Sequence, residues 1–137
     1  MSEATTLKRP SQGMKLAIST AKQARYVPGR REFFEYRDLG VTEATGGKMR
    51  AQVTSAKSAM DRETGWHYHT CDMQFVYVLQ GWVDLEFAGG KKMRFGAGDS
   101  VTIPGGTPHQ EIATSDDLQL IEVSIPAEMG TEPCDPA

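Results

Sequence analysis

A chain of 137 residues is the size of one domain and buries roughly 68–70% of the surface its unfolded form exposes, so it needs no disulfides to stand. Its two cysteines, Cys71 and Cys134, are not the dense framework of a small secreted scaffold, and no stretch approaches the roughly 20 apolar residues of a membrane span. The formal net charge of −3 hides an asymmetry: residues 1–31 carry seven Lys/Arg and one Glu, whereas residues 32–137 carry eight Lys/Arg and seventeen acids. With no apolar leader at the N-terminus, the expectation is a reduced, cytoplasmic protein that neither crosses nor coats a membrane.

Residues 1–30 are polar, lack a sustained period and end in the breaker "VPGR", which predicts an extended basic arm. Its cations, Lys8, Arg9, Lys15, Lys22, Arg25 and Arg30, with Arg31 after them, are spread out, and Tyr26 is the one aromatic among them. That pattern fits a solvated arm lying over an acidic body, not a nucleic-acid-binding surface.

Residues 31–126 read as the folded unit. "REFFEYRDLG" and "KMRAQVTSA" are strand-like, the second alternating Met49, Ala51 and Val53 against Arg50, Gln52 and Thr54. The parity does not say which face is interior, and Arg50 reads more easily as surface than as a contact for an anionic substrate. "MQFVYVLQ", "WVDLEF", "KKMRF", "DSVTIP", "PHQEIA" and "LQLIEVSI" follow at short intervals, separated by Gly-rich turns. Short strands at this spacing, with no amphipathic helix, predict an all-β barrel or jelly roll. "FAGGKKMRF" is its clearest hairpin. "MQFVYVLQ" is apolar on both faces beyond Gln74, with Val76 and Val78 on one side and Phe75, Tyr77 and Leu79 on the other. Such a strand needs two covers, so a homodimer is expected, with the arm as the other candidate cover. Residues 127–137 read as a loose acidic tail.

His67 and His69 lie two apart, so on a strand both imidazoles point to one side. The pair alone is either a polar patch or half of a metal site. The third histidine, His109, also falls at a strand end beside a Gly-rich turn, in "GDSVTIPGGTPHQE". Cys71, beside Asp72 and no base, reads as a structural thiol. Trp66, Tyr68, Tyr77 and Trp82 either line a pocket or pack outside it, the commoner fate.

These segments resemble the cupins. The first cupin motif, G-x5-H-x-H-x3–4-E-x6-G, is matched by His67, His69, Gln74 and Gly81, without the leading glycine. The second, G-x5-P-x-G-x2-H-x3-N, is matched by Gly98, Pro104, Gly106 and His109, with Ala113 in place of the Asn. The resemblance implies a small β-barrel, or jelly roll, holding one divalent transition metal (Zn, Ni, Fe or Mn) on His67, His69, Gln74 and His109. Gln74 departs from the family's carboxylate: its carbonyl can coordinate, but it is neutral and takes no proton. The other reading of Gln74 is a polar residue hydrogen-bonded inside the barrel.

The loss of a charged ligand leaves the metal a stronger Lewis acid and moves any base elsewhere. Glu111 is the candidate, two residues after His109 and on its face; it transfers a proton, orients a ligand, or is merely a solvated strand residue. The resemblance thus implies an enzyme using its metal as a Lewis acid on a small oxygenated or anionic substrate such as a sugar acid or keto acid. Cupins that open unsaturated uronates also use His, His, Gln and His. One alternative is an iron-dependent three-His dioxygenase; another is a non-enzymatic small-molecule-binding or sensor module.

Overall fold

The computed structural model describes residues 13–29 and 31–136; of the arm's basic residues, Lys8, Arg9 and Arg30 lie outside the described residues. In chain order the strands are β1 (Arg25–Val27), β2 (Phe34–Asp38), β3 (Arg50–Ala56), β4 (His67–Tyr68), β5 (Met73–Gln80), β6 (Trp82–Phe87), β7 (Lys91–Gly96), β8 (Ser100–Pro104), β9 (His109–Thr114), β10 (Gln119–Ile125) and β11 (Glu132–Pro133). A four-residue helix, α1 (Val41–Ala44), sits between β2 and β3. Among the described residues no helix is long and apolar enough to cross a membrane.

The strands form two antiparallel sheets, six-stranded in the order β1-β2-β3-β10-β5-β8 and five-stranded in the order β11-β4-β9-β6-β7. This is the jelly-roll arrangement that the strand spacing predicts. Between the sheets Val76, Val78, Val83, Leu85, Phe95, Leu118 and Leu120 form the core. Apart from Leu118, which precedes β10, they come from alternate positions of their strands, because side chains of period two reach the interior from one face only. The Gly89-Gly90 connection of the β6–β7 hairpin has both glycines at positive φ, as a tight turn of this hand requires. Gly81, between β5 and β6, also has positive φ, and a Cβ there would lie 2.9 Å from the Leu118 Cα, so the motif glycine is a packing requirement.

Three features differ from the sequence reading. On β3 the polar face points inward: Gln52 and Thr54 are buried and Arg50 lines the internal cavity, so Arg50 is not a surface residue. The usual apolar-in rule inverts here because a polar cavity occupies this end of the barrel.

The C-terminal segment, read as loose, is clasped: Ala127 and Met129 are buried, the Met129 carbonyl accepts from the Thr70 and Cys71 amides, and β11 pairs with β4. Those contacts join distant parts of the chain and leave no local pattern. Finally, Arg25–Val27 of the arm pairs with β2 at the sheet edge far from β5. Arg25 stands 3.5 Å from Asp38 and Lys15 4.0 Å from Glu43, exposed pairs worth about 0–1 kcal/mol each. The outer face of β5 is uncovered among the described residues, with Tyr77 40% and Leu79 42% exposed.

Candidate metal centre

His67 begins β4 and pairs in register with His109, which begins β9; His69 comes immediately after β4. All three are buried. Their rings stand 4.6–5.2 Å apart between centroids, and one ligand nitrogen from each lies within 4.8 Å of the others.

The backbone sets which nitrogen faces the cluster. Nδ1 of His67 is 2.7 Å from the Gly65 carbonyl, Nδ1 of His69 is 2.9 Å from the Gly130 carbonyl, and Nδ1 of His109 is 2.9 Å from the Thr107 carbonyl. A carbonyl only accepts, so each Nδ1 carries the proton and each Nε2 presents a lone pair. Ligand nitrogens this close together in a buried site are near enough to share one cation. Three neutral imidazoles suit a divalent transition metal such as Zn, Fe or Ni.

Gln74, buried on β5, lines the same cavity as His69 and His109. Its Nε2 donates to Oε2 of Glu122. Glu122 on β10 also accepts from Gln52 Nε2 at 2.8 Å and faces Arg50 Nη2 at 3.6 Å. A carboxylate cannot donate, so the amide has one orientation: nitrogen to Glu122, oxygen the other way. That oxygen, Oε1, is buried without a hydrogen-bond partner, as a donor atom awaiting a cation would be. The residues present therefore fit a metal.

Glu111 shares the inward face of β9 with His109. Its Oε2 is 3.6 Å from His67 Nε2 and 4.0 Å from His109 Nε2, and its Oε1 is 4.0 Å from Arg31 Nη2. A register shift between Glu111 and Ala113 marks a bulge on β9 just beyond these residues, the kind of irregularity that aims side chains at a site.

The cluster opens on an internal cavity of about 440 Å3. Trp66, Tyr68, Tyr77 and Trp82 do not line it; Trp82 lies under the Arg94 guanidinium, 3.7 Å from the ring centroid. Cys71 is buried, burial pushes its thiol pKa up with Asp72 adding to the shift, and its Sγ lies 3.4 Å from the Met73 carbonyl, which makes it an inert packing residue. Glu122, Gln52 and Arg31 are the functional candidates that sequence reasoning missed. The signal for Glu122 was available: it is the one charge in the apolar run "LQLIEVSI", in phase with the buried Leu120 and Ser124.

Residues 59–125 match the family described as Cupin domain. No curated protein sequence gives a significant match. Among solved structures, the chain is similar to the polyketide cyclase RemF from Streptomyces resistomycificus, with 16% identity, a TM-score of 0.69 and coverage of 90% of this chain and 88% of that one. It is similar to KdgF from Halomonas sp., with 21% identity, a TM-score of 0.63 and coverage of 80% and 94%. It is also similar to the Fe(II) form of HppE, with 18% identity and a TM-score of 0.66; there it covers 85% of this chain but spans only 65% of HppE. Within that shared fold, His67, His69 and His109 form a buried cluster able to hold a metal ion.

Proposed function

We propose that this chain, whose residues 59–125 match the cupin domain, is an iron-dependent cupin oxygenase, with Fe(II) on His67, His69 and His109 and the Gln74 carbonyl as fourth ligand. One observation carries the choice. The candidate ligands are all neutral, and beyond the polar groups near them the cavity wall carries an aliphatic patch of Val76, Val83, Leu85, Leu118 and Leu120. A sugar acid bears hydroxyl groups along its carbon chain, and these side chains offer them no partner; burying each unpaired hydroxyl costs about 1–3 kcal/mol. A hydrocarbon body suits the cavity, and oxygenation is chemistry that such a body undergoes. The Fe(II) protein among the structural neighbours supports iron as a metal this fold holds.

Iron(II) held by these residues would supply a centre at which dioxygen and substrate react, with the substrate giving the electrons that reduce dioxygen. The protein's own part is positional. Backbone carbonyls hold the three imidazoles in one tautomer, Glu122 holds the Gln74 amide, and the apolar wall excludes water. Glu111 takes a proton from the substrate at Oε2, the oxygen that faces the histidines.

The carboxylate of Glu111 beside the cluster also favours a second reading, in which the metal acts as a Lewis acid and Glu111 as the base of a lyase or isomerase. Anaerobic reconstitution with Fe(II), then an oxygen electrode, separates the two. The expected result is oxygen uptake that needs both iron and substrate; turnover by the zinc form without oxygen would establish the second reading instead. Tight ligand binding without metal or turnover would point to a binding module.

Two further outcomes follow from the same reading. Glu122→Gln frees the Gln74 amide to present its NH2 to the metal, so affinity should fall by about 10–100-fold in a chelator competition while the fold persists. Unchanged affinity would mean that Gln74 is no ligand.

The second concerns assembly. Phe75 and Tyr77 of β5 lie in register with Val123 and Ile121 of β10, making a continuous apolar outer face that we assign to a homodimer contact. Sedimentation should give twice the chain mass, and Tyr77→Glu should halve it; a wild-type monomer at micromolar concentration would refute the contact. The acidic balance of residues 32–137 favours small molecules over nucleic acid as the other partner.

A further inference from the structure

The cavity changes character along its strands in registered rows. The first row of the six-stranded sheet is Arg50, Ser124, Gln74 and Ile103, the second is Gln52, Glu122 and Val76, and the third is Tyr36, Thr54, Leu120 and Val78. The opposite sheet runs in parallel, from His109, through Glu111 paired with Leu85, to Thr114 paired with Val83. The charged groups lie in the first two rows, and the third row, with Leu120 beside Tyr36 and Thr54, carries none. Rows two residues apart are separated by about 7 Å, so the first and third rows are about 13 Å apart.

Charge adds a second constraint. Among the described residues the charged side chains lining the cavity are Arg31, Arg50, Glu111 and Glu122. They cancel, each arginine facing one glutamate at 4.0 and 3.6 Å. With three histidines and Gln74 as ligands, both charges of a divalent metal are then left uncompensated, and a buried site does not tolerate that excess. Each arginine keeps a buried Nε without a hydrogen-bond partner, so donors remain for an anion.

We propose that the cavity takes an amphiphilic carboxylate: its anionic head lies between the histidine cluster and Arg50, and an apolar body about the size of one aromatic ring lies against Val76, Leu85, Leu118 and Leu120. The inference rests on the metal reading above and narrows its substrate. A volume of about 440 Å3 falls in the range of about 300–1,000 Å3 typical of small-molecule sites. A three-carbon acid would fill only the first row, whereas a phenyl-bearing acid reaches Leu118 and Leu120.

The test is calorimetry on zinc-loaded protein, with zinc content measured on the same sample and no oxygen chemistry involved. Four probes vary one feature each: phenylpyruvate, pyruvate without the ring, phenylacetone without the carboxylate, and glucuronate with hydroxyls in place of the ring. Phenylpyruvate should bind at least about tenfold tighter than any of the others, through added apolar burial over pyruvate and added charge pairing over phenylacetone. Arg50→Met should cut its advantage over phenylacetone while zinc is retained. Pyruvate or glucuronate binding as tightly as phenylpyruvate would overturn the apolar body, and phenylacetone matching it would overturn the anionic head. Full zinc with no such preference sinks this inference alone, whereas a protein that holds no zinc sinks the metal reading with it. Binding in the expected order without oxygen uptake by the iron form would leave this inference standing and remove only the oxygenase.

Discussion

Replacing His109 with alanine should abolish metal binding, taking the protein from about one divalent ion per chain to near none by elemental analysis. His109 is 1% exposed and sits opposite His67 in the β4–β9 register, so its truncation removes one of the three imidazoles from a buried site. Losing a group that merely orients a ligand costs about 10–100-fold in affinity, and losing the ligand itself costs more than that. Circular dichroism checks the fold. His109→Gln keeps a donor oxygen and should recover part of the binding in a folded protein. Full occupancy in a folded His109→Ala protein would remove the histidine cluster from the account.

Glu111→Gln is the second large effect, and it divides binding from chemistry. The substitution keeps shape and hydrogen-bonding capacity but removes the proton acceptor 3.6 Å from His67 Nε2. Turnover should fall by about 10²–10⁴-fold, the usual worth of a positioned acid or base. Metal content should hold, since three imidazoles and an amide remain. Metal loss would make Glu111 a ligand or a ligand's support, and wild-type turnover would pass the proton to bound water.

Much of this arrangement was legible in the sequence for one reason: period-two alternation is local. It marks β3, β5, β6 and β10 and puts His67 and His69 on one side. Gln74 and Val76 share a face by the same rule. What could not be read depends on pairing between distant strands. Glu122 meets Gln74 and Gln52 only because β10 lies between β3 and β5, a register that no single strand announces.

Arg50 was read as surface because a polar residue on a strand usually faces water; here the interior at that level is itself polar. The segment after residue 126 looked loose because its contacts are backbone contacts. The Met129 carbonyl clasps Thr70 and Cys71, and the Gly130 carbonyl, with Thr131 Oγ1 at 3.0 Å, holds His69. Carbonyl groups carry no sequence signature. For that reason the feature that sets all three imidazoles in one tautomer was invisible until the chain was folded.

The central claim is that His67, His69 and His109 together hold one divalent transition metal, and X-ray absorption at the zinc edge of zinc-substituted protein tests it most directly. The expected spectrum shows imidazole scattering from three nitrogens at about 2.0–2.1 Å, with oxygen at about 2.0–2.2 Å for the remaining position. A spectrum without imidazole scattering, or one with thiolate sulfur at about 2.3 Å, would contradict it.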